Sequence, residues 1–323
     1  MSLIVQKFGG SSLSSAERLA RAAEIICAAR RAGHEVVAVL SAQGRTTDAL
    51  LTRARELAPH AAPRELDALL STGEQQSAAL MAMMLLERGV QAVSLAGWQL
   101  PLPTDSAHGA AQLLGGGCER AVRELAAGRV VLAAGFQGVD ASGDITTLGR
   151  GGSDTSAVAL SARLGASLCQ IYTDVDGVYT ADPRLCPTAR RLERVNAARM
   201  RLLAQEGAKV LAARAAALCE QSGVPLEVLS CAPGSACTRV VQEETDESVT
   251  GVTCRAPTTE RAQLTAVGRA FPSQRLRQRA EQALHAAGVP AQLEEEEELL
   301  RVTVPAAQQY AALRAVHDAI VVC

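Results

Sequence analysis

The segment Lys7-Phe8-Gly9-Gly10-Ser11-Ser12 sets an ammonium group and two adjacent glycines between a short apolar run and a helical pattern. Glycine lets backbone N–H groups come close to anionic oxygens, and the first turn of a helix favours negative charge. Lys7 adds a full positive charge that can bridge the oxygens of a phosphoryl group in transfer. Alone the pattern is weak, because tight packing also calls for paired glycines. It is not a Walker loop, since G-x-x-x-x-G-K-S/T occurs nowhere in the chain.

A second segment, Thr147-Leu148-Gly149-Arg150-Gly151-Gly152-Ser153-Asp154-Thr155, also enters a helical pattern. It combines backbone donors, an Arg able to grip a carboxylate bidentately, and an Asp that needs a metal, a donor or an ammonium partner. A plain turn has no use for that set. The third segment runs from Tyr172 to Arg184 as YTDVDGVYTADPR. A calcium loop is excluded, because Tyr179 occupies the sixth position, where such a loop requires glycine. Asp176-Gly177 reads as a hairpin turn, whereas Thr173-Asp174 falls at a strand's carboxyl end, where α/β sheets hold ligands. Two further segments, Ser41 to Asp48 and Ser71 to Gln75, read by themselves as a polar loop and as a break in a helical stretch.

Composition removes several classes. The formal charge of −2 arises from 32 basic and 34 acidic residues without a basic block, and aromatics make up 2%. Neither phosphate-tracking charge nor stacking side chains for nucleic acid are therefore expected. Nine cysteines occur with no CxxC, and His34, His60, His108, His285 and His317 are scattered, so no zinc site and a reducing compartment are expected. Gln6 and Lys7 interrupt Leu3-Ile4-Val5, which argues against a secretory leader. The longest apolar run, residues 78–86, is far shorter than the ~20 residues of a membrane helix. A soluble cytoplasmic protein without membrane or nucleic-acid partners is the expectation.

The elements that must position these segments alternate. Strands are expected over 3–5, 36–40, 91–95, 129–134, 167–173 and 226–229. Helices are expected from a capping box at Ser14 and Glu17 to Gly33, and over 65–88, 107–127, 155–164 and 209–222. Such alternation predicts an α/β fold, a mostly parallel sheet sandwiched by helices, with hairpins near Asp140–Gly143 and Asp176-Gly177. Beyond residue 260 the order is strand 263–267, helix 273–287, strands 291–296 and 299–304, and helix 306–319, a small ferredoxin-like α+β module. The expected division is residues 1–235, a linker over 236–260, and a module over 261–323. The run Glu294 to Glu298 reads as a solvated turn or edge that discourages aggregation.

In this order, KFGGSS at 7–12, STGEQQS at 71–77, TLGRGGSDTSA at 147–157 and YTDVDGVYTADPR at 172–184 resemble the aspartokinases of the amino-acid kinase superfamily, over about residues 2–232. The last two segments separate aspartokinases from relatives acting on uridylate, carbamate, glutamate or acetylglutamate. The resemblance implies transfer of the ATP γ-phosphoryl group to the β-carboxylate of L-aspartate, with Mg²⁺ arriving on ATP and no metal ligand from the protein. It implies that Lys7 and Asp154 are catalytic, Asp154 orienting Lys7. ATP would be met by Lys7, Phe8, Gly9, Gly10, Ser11, Thr173, Asp174, Tyr179 and Arg184. Aspartate would be held by Ser41, Thr47, Glu74, Arg150, Gly151, Gly152 and Ser153, with Glu74 on its ammonium group. The C-terminal module resembles a single ACT unit where most full-length aspartokinases carry two. This implies a homodimer or higher homo-oligomer through that unit, with a lost or altered effector response. A second class, an inactive kinase-like regulatory subunit or nucleotide sensor, predicts damaged site chemistry, yet Lys7, Glu74, Arg150 and Asp154 are all present.

Overall fold

The computed structural model describes residues 2–256 and 258–322. It divides into two compact units: one runs up to Asp176 and takes in Gln221–Cys237, and the other comprises Gly177–Glu220 and the chain from Thr238 onward.

The first unit begins β1 (Leu3–Phe8), α1 (Ala16–Arg31), β2 (Glu35–Leu40), α2 (Thr46–Leu57), α3 (Pro63–Glu87), β3 (Ala92–Leu95), α4 (Glu119–Ala126) and β4 (Val130–Ala134). It continues with β5 (Gln137–Val139), β6 (Ile145–Thr147), α5 (Gly152–Leu164) and β7 (Leu168–Thr173). The chain then forms β8 (Arg194–Asn196), α6 (Ala197–Gln205) and α7 (Ala213–Ser222) before returning as β9 (Leu226–Ser230). Six strands make a parallel sheet in the order β3-β4-β2-β1-β7-β9. Wholly apolar strands such as β4 are buried on both faces, as parallel strands between helices must be.

Alternation along β1 decides what each residue meets. Ile4 and Phe8 join Val36, Ala38 and Leu40 in a core with α1 and α3. Lys7 therefore points to the opposite face, towards α5. On α1 the buried residues are Leu19, Ala22, Ala23, Ile26 and Cys27, the stripe of an amphipathic helix. Each fully buried Leu or Ile contributes about 1.5–3 kcal/mol relative to exposure. Gly33, at φ +88°, ends this helix as expected. The cap lies one residue later than expected: Ser15, not Ser14, accepts from the Arg18 N–H at 3.3 Å and donates to Glu17 at 2.7 Å.

Three local expectations are corrected. The segment 71–75 does not interrupt a helix, because α3 runs through it without a break. The helix expected over 107–127 shrinks to α4, since Gly109, Gly116 and Gly117 take φ of +85°, +92° and +85°, outside helical space. At Asp176-Gly177 there is no tight hairpin; Val178 and Thr180 pair instead with residues 190–192, where the Leu192 N–H donates to the Val178 carbonyl at 2.8 Å. The hairpin over Asp140–Gly143 does form, between β5 and β6, with Asp140 Oδ1 accepting from the N–H groups of Ser142 at 2.9 Å and Asp144 at 3.0 Å.

In the second unit β10 (Cys237–Val241) pairs in parallel with β8. Then come β11 (Gly251–Arg255), β12 (Arg261–Val267), α8 (Gln274–Ala286), β13 (Gln292–Glu296), β14 (Leu299–Pro305) and α9 (Gln309–Ile320). The antiparallel sheet order is β11-β12-β14-β13. From β12 onward this is the expected ferredoxin-like succession. The place beside β12 that the last strand of that fold occupies is taken here by β11, which arrives from upstream. The stretch expected as a linker thus contains two strands. The acidic run is an edge, as expected, but not a merely solvated one. Glu295 accepts from the Ser273 N–H at 2.9 Å, Glu296 pairs with Arg301, and Glu298 pairs at 2.8 Å with the buried Arg199.

Among the described residues no helix is long and apolar enough to cross a membrane. None of the eight described cysteines forms a disulfide.

Candidate active site

Because β1, β2, β4 and β7 are parallel, the turns that follow Phe8, Leu40, Ala134 and Thr173 gather at one edge of the sheet. Backbone bonds stitch them together. The Gly9 N–H donates to the Tyr172 carbonyl at 3.1 Å, Ser41 to Phe8 at 3.1 Å, and Gly135 to Leu40 at 3.0 Å. Onto this edge α5 directs its first turn, which contains Ser153 and Asp154.

Lys7 Nζ and Asp154 Oδ1 lie 2.6 Å apart, with side chains only 11% and 12% exposed. The carboxylate is doubly supported, by the ammonium and by the positive end of α5. A Cβ built on Gly9 would fall 3.3 Å from Lys7 Nζ, so the ammonium lies over the glycine backbone.

Glu74, on α3, is 3% exposed. Its Oε1 accepts from the Ala42 N–H at 3.1 Å, while Oε2 has no hydrogen-bond partner among the described residues. Burial pushes its carboxyl up to about 7, against the opposing pull of the Ala42 N–H. A buried carboxyl with one empty oxygen is suited to an incoming cation. Two glycines bring it to the edge. A Cβ on Gly10 would lie 2.6 Å from the Ala42 carbonyl oxygen, and one on Gly73 2.8 Å from the Ala42 Cβ. Ser41 and Thr47, half-buried, flank the same turn.

The loop Thr147 to Gly151 is anchored from below by Asp67 of α3, which is 1% exposed. Asp67 accepts from Thr147 Oγ1 at 2.6 Å, from the Thr147 and Gly109 N–H groups at 2.9 Å each, and meets His108 Nδ1 at 3.1 Å. Gly149 and Gly151, at φ +73° and +70°, then swing the chain into α5. Arg150 stands exposed between them. Phe136 holds φ +71°, a left-handed conformation costing about 1–3 kcal/mol for a bulky residue. Its N–H donates to Ser156 Oγ at 3.1 Å and its carbonyl accepts from Leu148 at 2.8 Å, which keeps it there. Its ring would be 2.8 Å from a Cβ on Gly152.

The residues expected at the nucleotide divide. Thr173 ends β7 and donates to Asp174 Oδ1 at 3.0 Å. The Phe8 side chain is fully buried and stacked on Tyr172 at 4.8 Å, and its carbonyl accepts from Ser41. The Gly9 N–H is given to the Tyr172 carbonyl at 3.1 Å. Gly10 and Ser11 open a short 3₁₀ turn ahead of α1. Tyr179 and Arg184 belong to the second unit. There Arg184 forks onto Asp182, with Nε to Oδ1 at 3.0 Å and Nη2 to Oδ2 at 2.7 Å, and holds that carboxyl below the usual range.

Residues 2–230 match the amino acid kinase family. The chain belongs to that family. Within it, the aspartokinase of Pseudomonas aeruginosa is 49% identical over 249 residues, 77% of this chain and 60% of that protein. The crystal structure of aspartate kinase from Synechocystis superposes with a TM-score of 0.69 at 28% identity, covering 99% of this chain and 69% of that one. E. coli aspartokinase III in complex with lysine and aspartate gives a TM-score of 0.69 at 25% identity, covering 94% and 79%. The chain spans about three fifths of the length of the curated relatives it matches.

Three residues of this amino acid kinase site escaped sequence reasoning. Asp67 lies seven positions before Glu74, hence two turns along the same helix face, a spacing readable once α3 is taken as unbroken. Gly135 and Phe136 directly follow the apolar strand at 130–134, the position where parallel sheets carry their ligand turns.

Proposed function

We propose that this chain is an ATP-dependent aspartokinase, moving the γ-phosphoryl group of ATP to the β-carboxylate of L-aspartate to give 4-phospho-L-aspartate. That product heads lysine, threonine and methionine synthesis. The observation that carries the reading is the Lys7–Asp154 pair on the same sheet edge as a buried Glu74 whose Oε2 lacks a partner. Similarity to aspartokinases supports it further.

In this reading a carboxylate oxygen of aspartate attacks the γ-phosphorus while the bond to the ADP oxygen breaks. A carboxylate is a nucleophile at neutral pH without a general base. The barrier is the approach of one anion to another, which Lys7 lowers by neutralising the transferring group. Asp154 keeps the ammonium from swinging away. Gly10 and Ser11 receive phosphates, Thr173 and Asp174 the nucleotide beyond them. Mg²⁺ would arrive with ATP and would supply further charge neutralisation, with no ligand expected from the protein, Asp154 being engaged by Lys7. Glu74 takes the substrate ammonium on Oε2, with Ser41 and Thr47 beside it. Arg150, with Gly151, Gly152 and Ser153, holds a substrate carboxylate. The second unit, with its ferredoxin-like sheet, joins copies of the chain.

Lys7→Ala should lower turnover by about 10²–10³ while circular dichroism stays unchanged. Near-normal turnover overturns the role of Lys7. Trapping the acyl phosphate with hydroxylamine should succeed with aspartate and fail with glutamate.

A further inference from the structure

The residues expected to meet ATP in the second unit, Tyr179 and Arg184, sit on a segment almost without regular structure. Its two arms pair only briefly, with the Thr180 N–H donating to the Arg190 carbonyl at 2.9 Å and the Arg190 N–H to Thr180 Oγ1 at 3.1 Å. From the sheet side, Thr238 of β10 accepts from the Val178 N–H at 2.8 Å and donates to the Leu192 carbonyl at 2.6 Å, and the Val252 N–H of β11 donates to the Thr180 carbonyl at 2.7 Å; α9 adds a third support. Arg314 donates to the Leu185 carbonyl at 3.4 Å. One turn further on, His317, fully buried, lies 2.9 Å from Thr180 Oγ1 through Nε2 and 3.2 Å from Thr188 Oγ1 through Nδ1. Thr188 in turn donates to Asp318.

We infer that His317 is a positioning residue for the nucleotide: it clamps both arms of the 178–192 segment to α9 and so sets where Tyr179 and Arg184 stand. This rests on the aspartokinase reading, in which those two residues meet ATP. His317 Nδ1 also lies 3.3 Å from Asp318 Oδ1, and the following arrangement of protons satisfies the chain of bonds. Thr180 O–H donates to Nε2, Nδ1–H donates to Thr188, and Thr188 O–H donates to Asp318. Both ring nitrogens are used, one towards each arm, which an apolar side chain could not do. The apolar residues between the arms, Ala181 and Cys186, enter the same core as Leu313 and Val316 of α9. Packing alone therefore holds the segment against the helix, and the imidazole fixes its register. The C-terminal helix thereby becomes part of the nucleotide machinery, although it is distant in sequence from every phosphate-binding motif.

The test is steady-state kinetics on the full chain, with Arg184→Ala as reference. Thr188 lies at the surface, so Thr188→Val retains the fold. It should raise the KM for ATP about three- to tenfold, the loss of one ordinary hydrogen bond, leaving kcat and the KM for aspartate within twofold. His317→Ala should do the same more strongly, and faster amide exchange should appear over 178–192. His317→Asn, which keeps an amide near the Nδ1 position, should recover part of the affinity. If Arg184→Ala raises the ATP KM while Thr188→Val and His317→Ala do not, the clamp is refuted and the nucleotide assignment stands. If Arg184→Ala leaves the ATP KM unchanged, the nucleotide assignment fails and takes the clamp with it.

Discussion

The loop that carries Arg150 and the segment that carries Arg184 solve one problem in two ways. Each must hold a cationic side chain on irregular backbone, and in each a buried polar side chain from a helix gathers part of that backbone, with Thr238 of β10 as a further support in the second. In the first unit that side chain is Asp67, an acceptor-only group gathering two backbone N–H groups, a hydroxyl and an imidazole. In the second it is His317, which joins two hydroxyls that in turn belong to opposite arms. A carboxylate that collects four bonds makes a rigid hub, because loss of the hub strands several buried donors at once. An imidazole relay is more graded. Either arm can loosen while the other stays bound.

The largest effect that would separate the two designs is Asp67→Ala. Leaving buried donors without their acceptor should cost about 3–5 kcal/mol, read as a lower urea midpoint, with aspartate turnover lost in the surviving fraction. If Asp67→Ala and His317→Ala destabilise equally, the hub is no stiffer than the relay. Thr147→Val removes one hub donor and should cost about 1.5–3 kcal/mol, the range for a hydrogen bond to a charged group.

A smaller effect tests the substrate side alone. The carboxyl of Glu74 is raised to about 7 by burial, so the folded protein favours its protonated form. With a folded value above the unfolded one, Glu74 supports folding below the usual glutamate range and ceases to do so as pH rises through about 7. An ammonium ligand requires the charged form. The KM for aspartate should therefore fall as pH rises from about 6 to 8, within the window set by that shift. Glu74→Gln should raise this KM about tenfold and flatten its pH dependence, whereas a profile unchanged by Glu74→Gln would detach the group from the substrate.

The strands of the first unit and the order of the C-terminal module were legible in the sequence, because buried parallel strands are apolar throughout and amphipathic helices repeat at fixed spacing. What was misread had the opposite character. The helix expected over 107–127 had enough Ala and Leu to look periodic, but Gly109, Gly116 and Gly117 take left-handed backbone, Gly117 packing against the Pro101 carbonyl. Gly73 looked like a helix break, whereas it keeps helical conformation and only makes room for Ala42.

From the sequence alone, Lys7, Arg150 and Asp154 stood out as charges beside glycines at helix entrances, whereas Glu74 joined them only through the resemblance to aspartokinases. That Asp154 orients Lys7 came only from the resemblance, not from the residues themselves. That Lys7 meets Asp154 depends on which face of β1 an odd-numbered residue occupies, and on α5 crossing that face. The empty oxygen of Glu74 depends on two glycines letting α3 and the turns after β1 and β2 close together. The roles of Asp67 and His317 come only from burial, because a polar residue on a helix acquires a meaning when the fold removes water from around it and leaves it one set of partners.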